Sequence, residues 1–529
     1  MSDQDHSRFA KKSLSRRSVI RGAAALGAGL GTSYALGSKS SFAQAPRSGG
    51  RFRLGLNDGN ITDSLNPATY TSTFSLVQAF THRNTLTEIT SQNTLGPELA
   101  ESWEGSNGAK DWVFHLRKGV EFHNGKAFTS RDVVATLRFH LEPNSVSGAK
   151  ELLSGISDVR ADGDHTVRIT LASGNADVPY FFTEYTLVML PSNPDGTVDW
   201  QSGSGTGAYI IKEFQPGVRC SLVKNSKYFK QNSAHFEEVE LMAIPDASTR
   251  QSALLNNEID AMSDLDLKFI GPLSEEKDTK IFNLPSASHI NLPMHMDVPP
   301  FNNVSVRRAL KHSIDRKEIV SKILNGFGTV ANDHPIAPNM PFYAADVEQT
   351  EYNPDLARHL LAKAGIENLS LDLHSSNVVI AGGVDLALLF QQTAAPVGIK
   401  INVIQQPADS YWSNVWNKVP FCVANWGGRP TPDMIFSLAY ASGASWNDSH
   451  FEHERFNTLL RQARVDTDQV RRGEIYREMQ IIMRDDGATI IPFFRNRVFA
   501  ARSNVMHGPD VGSNWPLDGA KACERWWFS

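Results

Sequence analysis

Arg429 is the one charged side chain in the turn NWGGRPTP, residues 425–432, which ends the strand-like run PFCVA and puts Trp426 three positions before the guanidinium. A planar guanidinium offers paired donors that match a carboxylate, and an indole beside it can pack against the same ligand. Gly427 and Gly428 let the backbone turn tightly, while Pro430 and Pro432 stiffen the loop. The chemistry expected of Asn425, Trp426 and Arg429 is therefore capture of an anionic group. The alternative is a surface arginine paired with Asp433 or another acid.

No residue set with catalytic spacing accompanies this turn. Gly203-Ser204-Gly205 has the wrong spacing for a nucleophile elbow, and Thr206-Gly207 leads into the strand-like AYIIKEF where a phosphate-binding loop would need a lysine. No His-Glu-x-x-His occurs. His289 and His295 stand six apart on an expected strand and need not face one centre, so no metal site and no cofactor are expected. Asp485-Asp486 reads as a solvated helix end. Cys220, Cys422 and Cys523 lack metal-type spacing and permit one disulfide but not a disulfide framework. The 529 residues carry a net charge of −5, which argues against nucleic acid as a partner. Past the N-terminal region, no uncharged apolar stretch reaches the roughly 20 residues needed to cross a bilayer.

The elements that must hold Arg429 are mixed. RFRLGLN and HTVRITLA alternate as strands. TSRDVVATLRFHLEP reads as a helix with Thr129 at its cap, Asp132 in its first turn and Pro143 beyond its end. Asn353 and Pro354 open a helix whose Leu356, Leu360, Leu361 and Ala364 share a face; Asp315 and Glu318 have the capping-box spacing of another; Val470, Tyr476, Met479 and Met483 form a core stripe of a fourth helix. An α/β protein with more than one lobe follows. Residues 1–45 are expected to be an export signal, because Ser15-Arg16-Arg17-Ser18-Val19-Ile20 precedes a small-residue apolar stretch at 22–37, as in twin-arginine leaders. Cleavage is expected after Ala43 or Ala45. No cysteine stands there to take a lipid, so the mature protein is expected free in the periplasm.

Five stretches in order resemble one family. They are PELAESWEG with WVFHLRKGVEFHNGKAFTSRDVV, GTGAYIIKEFQPG with LVKNSKYF, PPFNNVSVRRALKHSIDRKEIV, YNPDLARHLLAKAG, and RRGEIYREMQIIMRDDGATIIPFF. Together they are similar to the extracytoplasmic solute-binding proteins, family 5, of peptide, opine and nickel ABC transporters. Ala208 stands where that family more often has proline, which affects turn stiffness. The resemblance implies an α/β, two-lobed periplasmic binding protein with a hinge (type II, cluster C) and an extra inserted domain. Lobe 1 is expected from 46–87, 207–297 and 496–529, the inserted domain from 88–206, and lobe 2 from 298–495. It also implies a monomeric non-enzyme that captures a small amino-acid-derived solute and delivers it to an inner-membrane ABC permease. A nickel or metal-chelate receptor is the alternative within the family, and a secreted hydrolase a distant one.

The resemblance suggests where the solute sits. Tyr411 and Trp412 of DSYWSNVW, and Ser445 and Trp446 of GASWND, are expected as pocket wall, although Trp412 and Trp416 also fit as one-turn-spaced core residues of a short helix. His295 is expected at the cleft edge, and Tyr70, Thr73 and Phe74 from the first lobe. Dipeptide-binding members carry an aspartate for the ligand's α-ammonium where this chain has Arg429. That reversal of charge favours a carboxylate-bearing ligand, such as an opine, over a simple peptide.

Overall fold

The computed structural model describes residues 46–407, 411–444 and 446–529; the expected leader and Ser445 lie outside the described residues. Two sheets carry the fold's main cores. The first has seven strands in the order Thr279–Leu284, Arg497–Arg502, Ala261–Met262, Arg51–Leu56, Glu238–Ala243, Arg219–Lys224 and Tyr209–Gln215. Arg51–Leu56 runs parallel to both of its neighbours, and the other pairings are antiparallel. Its alternation does what the sequence leads one to expect. Phe52, Leu54 and Leu56 point into a core with Phe236, Phe499 and Trp526, where Phe52 stacks on Phe236 at 4.3 Å.

The second sheet is antiparallel, in the order Gly328–Val330, Thr489–Arg495, His289–Pro293 and Ala424–Trp426. His289–Pro293 is buried along its whole length between two partners. This corrects the boundary expected near residue 298. The chain leaves the first sheet after Leu284 and is already paired in the second at His289, so the crossing lies at residues 285–288. Pro299-Pro300 punctuates the loop beyond that strand. The return crossing is Asn496, between Arg495 in the second sheet and Arg497 in the first. Two adjacent crossings of this kind are the geometry of a hinge.

A third sheet, antiparallel in the order Ala100–Ser106, Asp111–Leu116, Thr166–Leu171 and Ile156–Ala161, lies within residues 88–206 and packs its own core around Trp112, Phe114 and Phe122. It is tied to the 298–495 segment by a buried ion pair between Asp177 and Arg472, by the Thr431 hydroxyl donating to Asp177, and by Ala176 N–H donating to Arg464 C=O at 2.7 Å.

Helix signals also hold. The Asp132 carboxylate accepts Thr129 N–H at 2.8 Å, Asp315 accepts Glu318 N–H at 2.9 Å, and Asn353 accepts Leu356 N–H at 3.0 Å. In Gln469–Asp485, Tyr476, Met479 and Met483 are core, but Val470 is 72% exposed. It sits in the first turn, two residues after the capping Asp468, before the helix reaches its packing face. All three cysteines are free and buried.

Candidate functional site

A cavity of about 690 Å³ opens where the three sheet-bearing parts meet. Asp58 and Thr73 reach it from the first sheet's side, Glu184 and Tyr185 from the 88–206 segment, Arg429 from the second lobe, and Arg495 and Arg497 from the crossing. Asp58 also accepts the N–H groups of Thr73 and Phe74 at 3.0 and 3.1 Å, which fixes the start of the helix Thr73–His82.

Arg429 stands at the end of Ala424–Trp426, and its Nη1 donates to Gly427 C=O at 2.9 Å and Gly428 C=O at 3.2 Å. These bonds curl the guanidinium over its own turn. Gly428 is required there, since a Cβ would come within 2.9 Å of Ala287 Cβ in the crossing segment. The alternative partner, Asp433, is taken: it is buried and accepts Arg464 Nε at 3.1 Å. Among the described residues no carboxylate lies within salt-bridge distance of Arg429. The nearest electrostatic counterpart is Glu184 across the cleft. Burial lowers the Arg429 pKa while Glu184 raises it, and burial pushes Glu184 up to about 7 against the pull of Arg429. The cavity lining thus pairs the Arg429 guanidinium with a carboxyl group that burial holds near half-ionisation at neutral pH.

A second cavity, about 250 Å³, adjoins the first and shares Gly427 and Arg429 with it. Its walls are Trp412, Trp416, Trp426 and Trp446, with Asn425. Trp416 lies at the centre, with ring centroids 6.2 Å from Trp412, 6.2 Å from Trp426 and 6.1 Å from Trp446. Behind the indoles the buried Asp448 accepts Trp416 Nε1–H at 3.1 Å, Trp426 Nε1–H at 3.2 Å and the Asn291 amide at 3.2 Å. Burial nonetheless pushes Asp448 up to about 6. Asn425 lines the cavity while its amide donates to Val379 C=O at 2.7 Å. Trp412 and Trp446 are 40% and 47% exposed, so large indole faces are open to a ligand.

The structure therefore brings Arg429, Asn425, Trp426, Trp412 and Trp446 to one place, and Thr73 to the larger cavity. It assigns others elsewhere. Tyr411 is fully buried, and its hydroxyl donates to Val423 C=O at 2.6 Å, which makes it core. The Tyr70 hydroxyl accepts Arg83 Nη1 at 3.0 Å and donates to Leu65 C=O at 3.2 Å. Phe74 packs in the first lobe's core beside Phe214. His295 lines neither cavity and stacks on His450. Trp416, which fits core spacing, faces the small cavity.

Glu184 and Arg495 escape a sequence reading. Glu184 sits in FFTEYTLV, which matches no motif. The only signal for Arg495 and Arg497 is that they interrupt an apolar run, FFRNRVF, at a crossing visible only in three dimensions. Arg497 is structural: it donates to Ser513 C=O and Asn514 C=O, both at 2.9 Å, and lies over the Trp515 ring at 5.7 Å. Arg495 is exposed in the cleft.

Comparison with known proteins places this architecture. The family model for bacterial extracellular solute-binding proteins, family 5 (middle region), matches residues 94–448. The chain is 27% identical over 463 residues to heme-binding protein A of Haemophilus influenzae, covering 80% of this chain and 83% of that one. It is 26% identical over 432 residues to the dipeptide-binding protein of Escherichia coli K12, covering 75% and 80%. Among solved structures, AgaA of A. tumefaciens R10 in complex with agropinic acid superposes with a TM-score of 0.66 at 23% identity, over 91% of this chain and 99% of that one. With a two-lobed α/β fold, a cleft at the hinge and a family match over more than half its length, the chain belongs to the bacterial extracellular solute-binding proteins of family 5, which serve ABC importers.

Proposed function

We propose that this protein captures a carboxylate-bearing, amino-acid-derived solute of the opine or amino-acid-conjugate type and presents it to an inner-membrane ABC permease. The observation that carries the reading is Arg429. It lines both cavities, has no carboxylate within salt-bridge distance among the described residues, and stands where the family resemblance puts an ammonium-binding aspartate in dipeptide-binding members. A carboxylate on its free edge gains a charge-assisted contact in a partly desolvated site. The tryptophan wall then takes the solute's apolar or sugar portion, since an indole face suits either. Glu184 opposite suits a cationic amine on the same molecule, so a zwitterion fits the cleft better than a simple anion. Closure of the lobes is driven by the ligand's higher affinity for the closed state.

The test is a thermal-shift screen of amino acids, dipeptides, opines and sugar conjugates, followed by calorimetry on the hits. The expected outcome is preference for conjugates with a free carboxylate. Preference for dipeptides that requires a free amino terminus would contradict it. The 1–45 segment is read as a twin-arginine leader whose removal leaves a soluble periplasmic monomer; N-terminal sequencing of periplasmic protein and its sedimentation behaviour test both parts.

A further inference from the structure

Away from both cavities, three side chains of the second lobe converge. His295 and Asp297 follow the strand His289–Pro293, and His450 lies in the turn after Asn447. One nitrogen of each imidazole and one oxygen of Asp297 lie within 4.8 Å of one another. His450 Nδ1 is 2.8 Å from Asp297 Oδ1, and the two imidazole rings face each other with centroids 3.9 Å apart and planes 19° apart. His295 is 6% exposed, and its buried Nε2 has no hydrogen-bond partner. A buried polar nitrogen left without a partner costs free energy, so it calls for a group that completes it.

The backbone around this cluster is already fixed. His295 N–H donates to Pro420 C=O and Met296 N–H to Ser449 C=O, both at 2.9 Å, so the two segments that carry the ligands are fastened together. The cluster is graded in burial: His295 is buried, His450 half-buried and Asp297 exposed. Ligand atoms about 2.0–2.2 Å from a tetrahedral zinc ion sit roughly 3.4 Å apart, so the observed spacing must contract by up to about 1.4 Å. Side-chain rotation of Asp297 and His450, both in contact with solvent, supplies that movement.

We propose that His295, His450 and Asp297 form a binding site for a divalent transition-metal ion, of the zinc or nickel type, separate from the solute cleft. Two imidazole nitrogens and one carboxylate oxygen are the donors such ions take, with the outer position open to water. Bound there, the ion would clamp the segment 295–297 to the turn 447–451. That turn also carries Asp448, the acceptor for Trp416 and Trp426. The ion would therefore stiffen the support of the tryptophan wall without touching the solute.

The experiment is calorimetric titration of Zn2+ into untagged, chelator-treated protein, with thermal unfolding measured alongside. Saturable binding at about one equivalent and a rise in Tm are expected. His450→Gln and Asp297→Asn, which change solvent-contacting side chains, should each weaken binding by about tenfold or more, and the surface control His359→Ala should leave it unchanged. The proposal is overturned if zinc gives no saturable binding, or if His450→Gln and Asp297→Asn bind it as tightly as the unmodified protein. His295→Ala adds a stricter test provided it folds, because it removes the buried ligand.

Discussion

Asp448 accepts the indole N–H of Trp426 at 3.2 Å, from a position where both residues are buried. The same oxygen accepts Trp416, so one carboxylate sets the angle of two indoles in the tryptophan wall. Removing it strands both indole donors and the Asn291 amide. Asp448→Ala should destabilise the protein by about 2–4 kcal/mol in urea unfolding, and the indole signal in near-ultraviolet circular dichroism should weaken. An unchanged spectrum would mean that the wall stands without it.

Asp448 also has a pH signature. Its folded pKa is raised to about 6, above the unfolded value, so the folded state holds the proton more tightly. Its contribution to stability is full below the unfolded pKa of about 3.9 and is lost as pH rises through 6. Asp448→Asn should therefore flatten the stability profile between about pH 4 and 6 relative to the parent protein. Parallel profiles for the two proteins would contradict this.

Glu184 faces Arg429 and titrates near 7. A purely anionic solute whose carboxylate neutralises Arg429 raises that pKa further, so its binding takes up a proton and its affinity falls as pH rises through about 7, whereas a zwitterion whose amine sits on Glu184 binds more tightly as that carboxyl ionises. Glu184→Gln should remove this dependence and tighten binding of a purely anionic solute at high pH. Calorimetry across pH 6–8.5 with parent and variant decides it, and a pH-independent affinity in the parent would count against the arrangement.

Arg472 and Asp177 join the second lobe to the 88–206 segment out of contact with water. Deleting one partner leaves a buried charge, so Arg472→Ala should cost about 3–5 kcal/mol. Denaturant unfolding that shows less than about 1 kcal/mol would mean that water reaches the pair.

Much of this was legible in the sequence, for local reasons. Caps at Asp315 and Asn353, the alternation of RFRLGL and the charge of Arg429 need only neighbouring residues to be read. What failed depended on distant partners. Tyr411 looks like a pocket aromatic until its hydroxyl is seen donating to Val423, and His289–Pro293 joins the second lobe because its partners come from residues 424–426 and 489–495. Glu184 has no local signature, since its role comes from facing Arg429 across the cleft.

The indole wall gives a direct optical readout. Trp412 and Trp446 present open faces to the smaller cavity, so solute binding should quench or shift tryptophan emission. Trp412→Phe combined with Trp446→Phe should reduce that response and weaken binding by roughly 1–3 kcal/mol. An unaltered response and affinity would place the solute elsewhere in the cleft.

Arg429→Ala, titrated calorimetrically with the tightest carboxylate-bearing solute from the screen, decides whether Arg429 anchors the solute's carboxylate. Loss of a partly buried charge-assisted contact should cost on the order of 2–5 kcal/mol, well beyond tenfold in affinity. The unfolding midpoint of the empty protein should hardly change, because among the described residues Arg429 bonds only to its own turn. A loss of less than about tenfold would reduce Arg429 to a rim charge and contradict the carboxylate anchor.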